Sequence, residues 1–315
     1  MSLHRKTKRL YQNALALLSF FGDGRICISF FVGALFAQVF VLCELDSSQH
    51  KEDFVMAAPL LPDDLWERIR PHLPEHNRRF WGGRPPLDDR KALIGIIFVL
   101  KSGIAWQDLP QEMGCGSGMT CWRRMRKWQK AGVWDTVKQL LLNELREADK
   151  LDFSRAAVDS ASVRAFGGGE KTGPSPTDRR KSGSKHHVVT DANGVLLKVK
   201  TTAANRHDST QLLPLIDEIP PVAGKTGHPR KRPDEVYADR AYDSEPHRRD
   251  LRDRHIEPHL ARRNTDHGSG LGIFRWVSER ALSWLHGFRH LRTRYDRSAD
   301  IHDAFVTLAE CLICY

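Results

Sequence analysis

A chain of 315 residues is long enough for two domains and a sizeable core. Its 49 Lys and Arg against 39 Asp and Glu leave a net charge of +10, a balance that favours a polyanionic partner through release of phosphate counterions. The six cysteines form no disulfide framework, and Cys311-x-x-Cys314 stands without a second Cys pair or a His pair at ligand spacing, which argues against zinc and for reduced thiols in a cytoplasmic protein.

The first 55 residues stand apart. Arg5, Lys6, Lys8 and Arg9 precede an apolar run from Ile26 to Cys43, broken only by Ser29 and Gln38. A run of about 18 residues is at the lower limit for spanning a bilayer, and basic residues ahead of it also describe a signal peptide or anchor. Met56-Ala-Ala-Pro-Leu-Leu-Pro-Asp-Asp-Leu-Trp66, however, reads like a natural beginning, and the chain beyond it is basic and Trp-rich. Residues 1–55 are therefore expected to be a dispensable extension from an over-extended start, without membrane association. A true membrane anchor is the alternative.

Residues 56–150 read as a small all-α, helix-turn-helix-like DNA-binding domain. Asp63 and Asp64 are candidate N-caps for a helix at Leu65-Trp66-x-x-Ile69, which Pro71 and Pro74 close. After the basic loop Arg78–Pro86, Asp88 or Asp89 starts Arg90–Leu100, a run too continuously apolar for a surface helix. A short helix around Asp108–Met113 and the glycine-rich turn Gly114–Gly118 lead into a helix over Met119–Lys130. One face of that helix carries Trp122, Met125 and Trp128; the other carries Arg123, Arg124, Arg126 and Lys127, which suits a duplex. A bundle with a solvated basic face is the alternative.

From Leu151 the pattern alternates. Strands are expected at Ala156–Asp159, Lys185–Thr190 and Leu196–Thr202, with Asp191-Ala-Asn-Gly194 turning the last two into a hairpin. Helix Gln211–Glu218, strand Glu235–Asp239, helix Pro246–Arg254, strand Ile256–Ala261 and a helix over Phe274–Leu285 come next. That is the order of a ribonuclease-H-like α/β core, a mixed sheet with flanking helices, over residues 151–315. The polar insertions Gly167–Ser184 and Pro220–Pro233 have lengths usual for functional or disordered loops.

Three acids carry the chemistry. Asp159 ends the apolar run Arg155-Ala-Ala-Val, Asp239 ends Glu235-Val-Tyr-Ala, and Glu279 lies in the later helix. Two strand-end carboxylates and one on a helix can converge on a pair of Mg²⁺ ions about 3.5–4 Å apart, suited to in-line attack on a phosphodiester. Mg²⁺ is usually held by one or two carboxylates plus substrate phosphates, so three acids suffice. Alone, Asp159 could be a turn residue and Glu279 a surface acid beside Arg275 or Arg280. Their order, element types and basic flanks, including Arg289, Arg292, Arg294 and Arg297, favour a metal site. Asp178, Asp191, Asp208 and Asp243 sit where turns or caps explain them; His207-Asp208, after Asn205, could also orient a group behind the site, with a capped loop the favoured reading. His186-His187 is too short a spacing for a shared metal, and the neighbouring Lys185 suits a phosphate contact.

The passages Leu109-Pro-Gln-Glu-Met-Gly-Cys-Gly-Ser-Gly-Met-Thr-Cys-Trp-Arg123, Asp159-Ser-Ala-Ser-Val-Arg-Ala165, Thr190-Asp-Ala-Asn-Gly194, Ala238-Asp-Arg-Ala-Tyr-Asp243 and Arg275-Trp-Val-Ser-Glu-Arg280 appear in order. With them the chain from about Leu60 to Tyr315 resembles bacterial insertion-sequence transposases of the DDE type, in the insertion-sequence-5 group. The resemblance implies a ribonuclease-H-like core, two Mg²⁺ ions (Mn²⁺ as a substitute), and action on the element's terminal inverted repeats and on target DNA as a homo-oligomer. It places Asp159, Asp239 and Glu279 on the catalytic, metal-binding acids. It also places Arg275 on the signature arginine, which with Arg280, Lys185 and the basic helix would contact DNA. The family's Tyr before that arginine and its cation after the Glu are Gly272 and His286 here, with Gly287 where relatives carry another cation. A catalytically impaired, transposase-derived DNA-binding repressor is the competing expectation.

Overall fold

The computed structural model describes residues 59–76, 85–264 and 272–315. The run Ile26–Cys43 and most of the loop Arg78–Pro86 lie outside them, and no helix among the described residues is long and apolar enough to cross a membrane.

The described residues open with helices. In α1 (Asp63–Ile69) Pro62 takes the N-cap, so Asp63 and Asp64 sit in the first turn, where the helix dipole favours acids. Helix α2 (Asp89–Ser102) is capped by Asp88, which accepts the Lys91 N–H at 3.0 Å, and ends at Gly103 in the left-handed conformation. The expected short helix around Asp108–Met113 is two 3-10 turns, Trp106–Asp108 and Gln111–Met113. Pro110 between them cannot donate to a continuous helix. Helix α3 (Gly118–Lys130) starts against the Trp106 carbonyl: a Cβ on Gly118 would lie 1.7 Å from that oxygen, so only glycine fits. Helix α4 (Val133–Glu147) completes the group.

The sheet then assembles. Strands β1 (Arg155–Ala165), β3 (Ser182–Thr190) and β4 (Leu196–Ala203) run antiparallel, with the short β2 (Gly173–Pro174) on β3. After α5 (Ser209–Asp217), β5 (Glu235–Ala238) pairs parallel to β1; after α6 (Glu245–Asp253), β6 (Glu257–Leu260) pairs parallel to β5. Each parallel neighbour is thus reached through a helix, as a crossover requires. Helices α7 (Gly272–Gly287) and α8 (Arg289–Arg292), the short β7 (Thr293–Arg294) paired with β1, and α9 (Ala299–Cys314) end the chain. Three antiparallel strands continued by two parallel ones is the ribonuclease-H-like order, as expected from the sequence.

Helix α9 is buried almost all round and packs on α3 and α4, on β4 and on α7, so one hydrophobic cluster serves both the helices and the sheet. The thiols of Cys311 and Cys314 lie inside it, and burial pushes the latter up to about 12.

The β3–β4 turn is tied by Asp191, whose carboxylate accepts N–H groups from Asp152 (2.8 Å), Asn193 (3.0 Å) and Val195 (2.7 Å). Burial outweighs these three donors and pushes Asp191 up to about 6. An unfolded Asp titrates near about 3.9, so the folded state holds an extra proton between about pH 4 and 6. Stability from this group is full below that window and is lost as pH rises through it. Asp191→Asn is expected to flatten the corresponding fall in urea-unfolding stability; an unaltered slope would assign it to another group.

Candidate active site

Asp159 lies in the middle of β1, opposite Val188, and not at a strand end as its local sequence suggests. The strand runs on to Ala165 because Ser160 to Arg164 continue the ladder with β3. Asp239 follows β5 directly and accepts the Ala241 N–H at 2.9 Å, capping the 3-10 turn Arg240–Tyr242. Glu279 is exposed on α7, which packs across β1 and β5.

Asp159 senses the other two acids. Burial raises the Asp159 carboxyl above the ordinary Asp value; the Ser160 N–H at 2.8 Å and the Arg275 guanidinium oppose this, while the charges of Asp239 and Glu279 add to it. Arg275 Nη2 is 3.7 Å from Asp159 Oδ2. The buried Ser278 donates to the Arg275 carbonyl at 2.7 Å and lies 3.4 Å from the same Asp159 oxygen. Arg275, Ser278 and Glu279 share one side of α7 through i, i+3 and i+4 spacing. Ser278 was not singled out from the sequence, and that spacing is the signal that could have found it. Among the described residues no three His, Cys, Asp or Glu side chains are close enough to hold one ion.

A second layer stands behind the acids, on the outer role that the sequence offered for His207-Asp208 as the lesser reading. Asp208, expected as a loop cap, accepts from Ser160 Oγ at 2.8 Å and from Lys185 Nζ at 2.8 Å. Lys185, expected on phosphate, is nearly buried and also donates to the Arg206 carbonyl at 3.1 Å. Beneath the acids the buried Tyr242 phenol is pushed well above its ordinary value, by burial first and then by the charges of Asp208, Asp159 and Asp239.

The histidines make a separate cluster. His186 Nδ1 is 3.2 Å from His286 Nε2 and its Nε2 is 2.9 Å from His302 Nε2. Its two nitrogens face different partners, so the trio cannot converge on one ion. Burial pushes His186 down to about 3, which keeps it neutral. His286, standing where the family has a cation, is thus turned towards β3.

The basic residues divide. Arg123, Arg126 and Lys127 are exposed on α3, with Arg126 over the Trp122 ring at 5.4 Å. Arg124 differs: it pairs with Asp89 and donates to His76 Nε2 at 2.6 Å and to the Leu87 carbonyl at 3.0 Å. Arg280 is held between the exposed Trp276 and Trp284 rings, at 4.4 and 4.8 Å, and donates to the Asn193 carbonyl, pinning α7 to the β3–β4 turn.

A family model described as "Transposase DDE domain" matches residues 151–314, and one described as "Putative transposase of IS4/5 family" matches residues 61–138. The chain belongs to the DDE transposases of IS4/5 type. This transposase is 64% identical over 148 residues to the "Putative transposase for insertion sequence element IS402" of Burkholderia cepacia, covering 47% of this chain and 70% of that protein. It is 58% identical over 123 residues to the "Insertion element IS402 uncharacterized 16.2 kDa protein" of the same organism, covering 38% of this chain and 84% of that one. Against the "Crystal structure of the Mos1 Strand Transfer Complex" the transposase shows 11% identity and a TM-score of 0.25, over 94% of this chain and 89% of the other, too remote to bear on its fold. As a DDE transposase it is an enzyme that cuts and transfers DNA, and its family depends on a divalent metal.

Proposed function

We propose that this transposase binds the terminal inverted repeats of its element, cleaves a strand at each end and joins the freed 3′-hydroxyls to target DNA. Asp159, Asp239 and Glu279 would hold two Mg²⁺ ions, with Mn²⁺ able to substitute. The observation that carries this is the Asp159 carboxyl, raised first by burial and then, in smaller part, by the charges of Asp239 and Glu279, which stand within electrostatic reach of it. Three hard oxygen donors that repel one another fit a divalent cation, which relieves the repulsion. When bound, the ions supply Lewis-acid stabilisation of the entering and leaving oxygens of an in-line displacement. The Arg275 guanidinium opposes the rise of the Asp159 carboxyl, and Ser278, whose hydroxyl donates to the Arg275 backbone carbonyl, lies beside the same Asp159 oxygen. Joining two ends calls for at least two protomers acting together on DNA, in the cytoplasm where the chromosome lies. The domain division of helical DNA-binding residues 56–150 and catalytic residues 151–315 belongs to the same proposal.

A nicking assay with Mg²⁺ on a fragment ending in the element's repeats tests the proposal. Cleavage leaving a 3′-hydroxyl is the expected result. Binding without nicking would instead support the repressor that Gly272, His286 and Gly287 suggest.

The exposed Arg123, Arg126 and Lys127 are the proposed duplex contacts of α3. Replacing all three by Ala is expected to weaken binding and reduce the salt slope by roughly 0.9 per lost phosphate contact. An unaltered slope would make α3 a structural helix. Arg124→Ala is expected to act on stability instead, by removing its pair with Asp89 and its bond to the Leu87 carbonyl.

A further inference from the structure

Asp159 and Ser160 leave β1 on opposite faces, because successive strand residues alternate. On the Asp159 face stand Arg275 and Ser278 of α7. On the other, the Ser160 hydroxyl donates to Asp208 Oδ1 at 2.8 Å, while the Ser160 N–H donates to Asp159 Oδ1 at 2.8 Å. One residue therefore joins the metal-site acid to a second carboxylate through two hydrogen bonds. Lys185, which sits opposite Ser162 on β3, meets the same Asp208 oxygen at 2.8 Å. It is held there by the Arg206 carbonyl at 3.1 Å. The Lys185–Asp208 pair is neutral as a unit, so Asp208 can grip Ser160 without adding a fourth net negative charge beneath the three acids.

We infer that Asp208, fixed by Lys185 and acting through Ser160, is a positioning residue that sets Asp159 for metal binding. The inference rests on Asp159 being a metal ligand. Outer groups that orient a ligand in this way typically govern metal affinity by about 10- to 100-fold. A purely structural Lys185–Asp208 pair, tying the loop after β4 to β3, would affect stability and leave metal affinity unaltered.

Ser160→Ala separates the two, since it breaks the link and leaves the Lys185–Asp208 pair intact. The measurement is Mn²⁺ binding to the full chain, read by electron paramagnetic resonance, together with the melting temperature and the Mg²⁺ dependence of nicking. In Ser160→Ala the Mn²⁺ concentration for half-saturation is expected to rise roughly 10- to 100-fold, with melting temperature and DNA affinity preserved. Ser160→Thr, which restores the hydroxyl, should return it to near the parent value. Parent-like Mn²⁺ affinity in Ser160→Ala, or no recovery in Ser160→Thr, would overturn the positioning role. Asp159→Asn measured alongside keeps the two ideas apart. If it too binds Mn²⁺ as the parent does, the ligand assignment fails; if it alone loses Mn²⁺, the ligand assignment stands and only the positioning role falls.

Discussion

Asp159→Asn and Glu279→Gln are each expected to slow cleavage of a terminal-repeat duplex by roughly a thousandfold or more, equivalent to about 4 kcal/mol of barrier, without loss of duplex binding. Both changes are nearly isosteric and remove one charge. Asn at position 159 retains an oxygen to accept the Ser160 N–H, and Glu279 is exposed, so neither change opens a cavity. Each also relieves the repulsion among the acids, so folded stability should be equal to or above the parent's. Lost cleavage with undiminished stability is therefore the signature, and it differs from simple unfolding. Near-parent cleavage by either variant, with Mg²⁺ present, would remove that acid from the metal site.

The largest expected effect on stability is at Glu310. Its carboxylate pairs with Lys138, and the side chains are only 2% and 5% exposed. The pair joins α9, beneath the sheet, to α4 of the helical region. Burial raises the Glu310 carboxyl, and the Lys138 ammonium opposes the rise. Glu310→Ala would strand a buried ammonium and is expected to cost about 3–5 kcal/mol. Replacing both partners by apolar groups, Lys138→Met with Glu310→Leu, removes the desolvation of both charges and is expected to recover most of that loss. Urea unfolding of the single and double variants checks it. A double variant no more stable than Glu310→Ala would show that the loss is one of packing.

What the sequence disclosed depended on how local the signal was. The buried runs Val188-Val189 and Leu196-Leu197, the turn Asp191–Gly194 and the apolar α2 were legible because burial pattern and turn chemistry act within a few residues. The second half of β1 was missed because Ser160–Ala165 is small and polar, and only its pairing with β3 makes it a strand. Arg124 and Lys185 looked like free cations because the groups that engage them, Asp89 and Asp208, lie far away in the sequence. The same distance left the outer role of Asp208 ranked below its local role as a cap. Trp276 and Trp284 are exposed on either side of Arg280, whereas Trp128 is wholly buried against Trp134, with ring centroids 5.8 Å apart, a difference that composition alone does not show.

Asp159, Asp239 and Glu279 are proposed to form one divalent-metal site acting on DNA ends. Anomalous scattering from Mn²⁺, in crystals of the full chain bound to a terminal-repeat duplex, tests it most directly. The account predicts anomalous peaks in contact with the carboxylates of Asp159, Asp239 and Glu279 and with the DNA phosphate at the cleavage point. Ordered Mn²⁺ bound elsewhere on the chain, with these three carboxylates free of it, would contradict the account.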